Sequence, residues 1–135
     1  MTTLLDFSAG VATGGRGDTL SGAQLVDATI SGTPVVTHVS TAATCVLSFA
    51  AYGHIAHRIL PTQATALSLS GGMAGQLQEM TVMIQQSAEG GSPVALPPGV
   101  IWSAGAPFID SRAGAVTFFR LWSLDGGVSV YGRAL

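Results

Sequence analysis

Residues 33–50 read TPVVTHVSTAATCVLSFA. Two short runs, Thr33 to Ser40 and Thr44 to Ala50, alternate apolar and polar residues and are rich in β-branched side chains. Period-2 alternation of this kind marks half-buried strands. The same pattern recurs at Thr65 to Ser70 (TALSLS), Met80 to Gln86 (MTVMIQQ), Val94 to Leu96, Ala115 to Leu121 and Val128 to Gly132. Between the runs sit glycines: Gly14-Gly15, Gly32, Gly53, Gly71-Gly72, Gly90-Gly91 and Gly126-Gly127. They fall about 20 residues apart, room for one long strand or a hairpin. Many short strands with glycine turns predict an all-β sandwich or barrel.

Helix signals are weak. Met73, Leu77, Met80 and Ile84 have helical spacing, but Gly71, Gly72 and Gly75 fall among them. Glycine is unfavourable inside a helix, so this piece reads as a loop leading into a strand. Met1 to Gly22 lacks regular alternation and reads either as an extended N-terminal arm or as an irregular first strand and loop, with residues 23–135 as one β-sandwich domain. Leu4, Leu5, Phe7 and Arg16 are the arm's candidate partner contacts.

The composition excludes several classes of function. A chain of 135 residues suits one domain. Cys45 is the only cysteine, so a disulfide scaffold and a zinc finger are both excluded. Five arginines, no lysine and seven acids give a net charge of −2, which is no footprint for nucleic acid. The apolar stretch Cys45 to Tyr52 is too short to cross a membrane. Met1 to Gly10 lacks a basic n-region and carries Asp6, which argues for synthesis in the cytoplasm without a signal peptide. Charged residues make up 9% of the chain, against about 25% in an ordinary domain. Either copies of the chain cover much of the surface, or the 13 threonines and 13 serines keep it soluble.

No constellation points to catalysis. His54 and His57 would share a helix face but point to opposite faces of a strand, and two ligands do not make a metal site. Arg16-Gly17-Asp18 reads as a turn, and Gly14-Gly15-Arg16-Gly17 lacks the ending of a phosphate loop. There is no nucleophile elbow, and Glu79, Glu89, Asp110 and Asp125 are widely spaced. Cys45 reads as a core residue. Trp102, Trp122 and Tyr131 suit a core, an interface or a sugar contact. The expectation is a protein that is not an enzyme and uses neither cofactor nor metal.

The segment Leu67 to Gly132 carries a longer pattern. Val82 to Gln86 is an apolar strand ending in Gln85-Gln86, followed by Gly90-Gly91, Val94 and Pro98-Gly99-Val100-Ile101-Trp102. Ala104-Gly105-Ala106-Pro107, Val116 to Leu121 and a closing Asp125-Gly126-Gly127 to Tyr131-Gly132 complete it. This order resembles a β-domain of tailed-bacteriophage virion proteins, found at tail-fibre tips and in surface proteins. The resemblance covers about half of the chain. It implies a jelly-roll-like antiparallel sandwich acting as a structural or attachment module, with Gln85, Gly91, Pro98, Gly99, Trp102, Pro107, Asp125, Gly126, Tyr131 and Gly132 as its structural motif. Trp102 would close the core, and Asp125-Gly126-Gly127 would turn a hairpin.

Fibre proteins carry the domain behind a long shaft, whereas here only Met1 to Ala66 come before it. The expectation is therefore a homotrimeric capsid decoration (cement) protein on the virion surface, binding the major capsid protein of the assembled head or other virion proteins. The alternative is a short tail, baseplate or fibre-tip protein that contacts host glycans or fibre subunits. No nucleic-acid or membrane partner is expected.

Overall fold

A computed structural model describes residues 33–51 and 53–135. The proposed arm, with Leu4, Leu5, Phe7 and Arg16, lies outside the described residues. Among the described residues there are nine strands: β1 Val35–Ser40, β2 Thr44–Ser48, β3 His54–Pro61, β4 Thr65–Ser70, β5 Ala74–Gln85, β6 Val94–Ala95, β7 Ile101–Trp102, β8 Val116–Asp125 and β9 Val130–Ala134. They form a six-stranded sheet, β1-β3-β5-β8-β9-β7, and a three-stranded sheet, β2-β4-β6.

The first six strands alternate between the two sheets. β1, β3 and β5 pair in parallel in the large sheet, and β2, β4 and β6 pair in parallel in the small one. Val35 lies beside Ala56, 21 residues on, and Thr44 lies beside Ala66, 22 residues on. The chain thus winds as a flat parallel coil, then finishes with the antiparallel pairs β5–β8 and β8–β9. The expected all-β arrangement of two sheets around one core is present. The antiparallel jelly-roll order is corrected: β5–β8 and β8–β9 alone are antiparallel, and the other five pairs are parallel. The glycine spacing, read as room for one long strand or a hairpin, instead marks turns of a parallel coil.

The core lies between the sheets. Cys45, Leu47, Phe49 and Leu67 come from the small-sheet side and meet Ile55, Ile59, Met80, Val82, Ile84, Phe119 and Leu121. β3 went unrecognised in the sequence, yet it is central to the coil. Its inward column is Ile55, His57, Ile59 and Pro61, all buried. β5 begins at Ala74, earlier than expected, and a register shift between Ala74 and Gln78 absorbs Gly75.

The corners of the coil show where the hydroxyls go. Ser40 Oγ meets Thr65 Oγ1 at 2.7 Å, and Thr65 Oγ1 donates to Gln63 O at 3.0 Å. Thr62 Oγ1 donates to Ser40 O, and the Gln63 amide donates to Thr41 O. Side chains add to the backbone bonds at these corners, and Ser40 O, already paired with Thr62 N–H, takes Thr62 Oγ1 as a second donor. Two buried amides do the same elsewhere. Gln86 Nε2 donates to Ser92 O at 2.7 Å while its Oε1 accepts from Ser92 N–H at 3.2 Å. Gln78, fully buried, donates to Ala50 O and accepts from Met73 N–H.

Gly72 and Gly132 are among the glycines required by close approach. Gly72, at φ +129°, would drive a Cβ into the Gly126 backbone, so the Gly71-Gly72 corner packs on the β8–β9 turn. Gly132 has an ordinary φ, but a Cβ there would lie 2.5 Å from the Trp102 ring and 2.9 Å from Leu121. Trp102 rests on that bare backbone and meets Phe119 edge-on, ring centres 5.7 Å apart. Gly132→Ala is expected to destabilise the fold by about 1–3 kcal/mol through overpacking, read as a lower urea midpoint with an unchanged slope.

Candidate functional site

Strand alternation sorts the large sheet into an inner and an outer face. The inner face is the core. The outer face is set by register into rows that cross the sheet. One row runs His54, Glu79, Trp122 and Tyr131, and the next runs Val35, Ala56, Thr81, Arg120 and Arg133. Thr37, Arg58, Met83 and Phe118 follow in the third.

The first of these rows is linked by polar contacts. Trp122 Nε1–H donates to Glu79 Oε1 at 3.1 Å. His54 Nδ1 lies 3.3 Å from Glu79 Oε2, and its Nε2 lies 2.7 Å from Thr81 Oγ1. Tyr131, paired with Trp122 across the hairpin, is 43% exposed. An indole, a phenol, a carboxylate and an imidazole therefore share one patch open to solvent.

The arginines differ in their partners. Arg112 forms a two-pronged pair with Asp110, Nη2 to Oδ2 at 2.6 Å, and this bond holds the Asp110 carboxyl down at about 2. Arg58 donates to Gln85 Oε1 at 3.1 Å. Arg120 and Arg133 face each other across the β8–β9 pair. Neither has an acidic partner among the described residues. Arg120 Nε is buried and makes no hydrogen bond among the described residues.

No family model matches this sequence, and no curated protein and no solved structure matches it.

The motif residues are mostly turn and packing positions. Gln85 ends β5, Gly91 donates its N–H to Ser111 O at 2.8 Å, and Pro98-Gly99 precedes β7 with Gly99 at φ +79°. Pro107 lies in the connection to β8. Trp102 and Gly132 are in contact. Asp125, Gly126, Tyr131 and Gly132 belong to the closing hairpin, where Asp125 Oδ1 accepts from Ser129 N–H at 2.8 Å. That bond, above all, lowers the Asp125 carboxyl below its ordinary range. The hairpin turn is as expected. Of the motif residues, Tyr131 alone belongs to the aromatic and charged patch. Arg120 and Arg133 were missed in the sequence because each is a lone charge there.

Other candidates resolve into packing. Cys45 is buried in β2, and burial raises its thiol away from the reactive thiolate. Among the described residues no three His, Cys, Asp or Glu side chains gather as a metal site would. His54 and His57 point to opposite faces of β3, as a strand dictates.

His57 is 3% exposed and joins the two sheets. Its Nε2 lies 2.9 Å from Ser48 O, which can only accept, so this nitrogen carries the proton. In the neutral ring Nδ1 then accepts from His38 Nε2–H at 2.8 Å. Burial lowers both histidines. For His57 it outweighs the bond to Ser48, and the neighbouring His38 adds to it. The native pair therefore resists protons that the unfolded chain takes up near 6.5. Stability is complete above that value and is lost as pH falls below it. The urea midpoint is expected to fall between about pH 7.5 and about pH 5, and to change less in the double variant His38→Gln, His57→Gln. Asp110, titrating at about 2, does not contribute in this window.

Proposed function

We propose that this chain is a structural, non-enzymatic module that associates with copies of itself and decorates the surface of a tailed-phage virion. In this reading its first coil is covered by a neighbouring copy, and the assembly binds the assembled head. The supporting resemblance runs through Leu67 to Gly132, with a parallel coil in place of the first strands of a jelly roll.

The observation that carries self-association is the edge of the first coil, which has no strand beside it among the described residues. Pro34 O accepts from Ala56 N–H at 2.9 Å, and Ser40 O accepts from Thr62 N–H at 3.1 Å. In a parallel ladder alternate residues bond to the same neighbour. Val35, Thr37 and Val39 therefore turn their N–H and C=O groups away from β3. On the small sheet Ala43 O accepts from Ala66 N–H and Phe49 N–H donates to Ser70 O, so Thr44, Val46 and Ser48 turn away from β4. Among the described residues nothing pairs with either edge. Val35 is 64%, Val39 60% and Val46 52% exposed, and these six edge residues carry no charge.

Uncharged, unprotected edges are templates for pairing with another chain. A solenoid end needs a cap for the same reason. Seating the edge on a different patch of the next copy closes a ring, and a closed ring avoids open-ended fibres. Three copies are the number we propose.

Sedimentation of the full chain is expected to give a trimer. Val39→Lys, which places an ammonium on the edge, is expected to shift it to monomer while the circular dichroism stays that of the parent. Quantitative mass spectrometry of purified virions is expected to find the chain in amounts comparable with the major capsid protein. A monomeric parent chain would overturn the self-association, and absence from the particle would overturn the virion reading.

A further inference from the structure

We propose that the outer face of the β8–β9 hairpin is a binding site for a carboxylated sugar, held by Arg120 and Arg133 over a floor of Trp122 and Tyr131. This inference is independent of how many copies assemble and of where they sit.

The pairing of the two arginines is the starting point. Like charges directly opposite one another in an antiparallel pair are destabilising. The chain has five cations in all, yet two of them face each other. Arg112 shows what a satisfied guanidinium looks like in this molecule, forked onto Asp110. Arg120 and Arg133 have no such partner among the described residues. Among the described residues the buried Nε–H of Arg120 has no acceptor, a costly arrangement that native proteins rarely tolerate. Glu79, in the neighbouring row, bonds Trp122 and His54 and makes no bond to Arg120.

An anion held between the two guanidinium groups offsets the repulsion between the like charges. A carboxylate suits a guanidinium because two parallel N–H groups match its two oxygens.

The neighbouring row defines what carries the carboxylate. Trp122 and Tyr131 are paired two residues along each strand from Arg120 and Arg133, on the same face. Aromatic faces of this kind take the C–H face of a ring. Glu79 keeps free lone pairs on both oxygens for hydroxyl donors. Its negative charge repels a run of acidic side chains, which disfavours an acidic peptide. One negative group, several hydroxyls and a flat apolar face together describe a uronic-acid type of sugar.

The test titrates the full chain with glucuronate, glucose and acetate, following the Arg120 Nε–H and Trp122 Nε1–H resonances by NMR. Glucuronate is expected to move both resonances and to bind at least roughly tenfold more tightly than glucose or acetate. Arg133→Gln changes an exposed residue outside the core and is expected to weaken glucuronate roughly tenfold. Tyr131→Ala is expected to abolish the preference for glucuronate over acetate. No movement of either resonance at millimolar glucuronate overturns the site. Acetate binding as tightly as glucuronate overturns the sugar. Neither result depends on the trimer, whose own test is sedimentation.

Discussion

Parallel strands cannot be joined by a tight turn, and this constraint shapes the whole molecule. After β1 the chain must leave the large sheet before it can return beside itself as β3. Here it returns by way of the small sheet, which explains why β2, β4 and β6 exist and why they too are parallel. One crossing of the coil therefore builds both walls of the core at once. Short corners follow, Thr41 to Ala43 and Thr62 to Ala64, and corners that short leave backbone groups unpaired. Ser40, Gln63 and Thr65 supply partners to the corner carbonyls of Ala42, Thr41 and Gln63. The abundance of serine and threonine is thus partly structural. Some of the hydroxyls that seemed to replace surface charge are internal fastenings of the coil.

How much of this could be read from the residues depends on what alternation reports. Period 2 tells which face a side chain takes, but not which strand lies beside it. Thr44 to Ala50 and Thr65 to Ser70 were legible as strands, while their parallel pairing was not. A separation of about 20 residues suits a hairpin as well as a turn of the coil. β3 was hidden for a different reason. Its inward column includes His57 and its outward column includes Ala56 and Leu60, so neither column is uniformly polar or apolar. The inward histidine is tolerated because Ser48 O and His38 satisfy both of its nitrogens. The closing hairpin, by contrast, was legible because Asp125-Gly126-Gly127 is local chemistry.

The candidate site shows how far that local chemistry reaches. Trp122 and Tyr131 stood out as aromatic residues, whereas Arg120 and Arg133 did not. Yet both pairs lie symmetrically about Gly126-Gly127, so a hairpin centred there sets them opposite one another before any coordinates are known. The signal was present in the spacing around the turn. It becomes informative only when charge is read across the turn instead of along the chain. Glu79 and His54 could not be added in this way. They join the patch through β3–β5 and β5–β8 registers that the parallel coil sets.

The arrangement of the large sheet also separates two demands on one small surface. Among the described residues β1 is an edge strand, while the arginine and aromatic pairs lie on β8 and β9, with β3 and β5 in between. Three inter-strand steps at about 4.8 Å put β8 roughly 14 Å from β1. A copy seated on the β1 edge extends the sheet in its own plane, away from β8. A ligand on the hairpin approaches perpendicular to that plane. Association through the edge and binding on the face are therefore compatible in the same chain. Because the sheet is continuous, an assembly built through its edges would repeat the hairpin face once per copy. A weak single contact then gains strength from the number of copies engaged together, provided that the surface it meets presents its carboxylates at matching spacing.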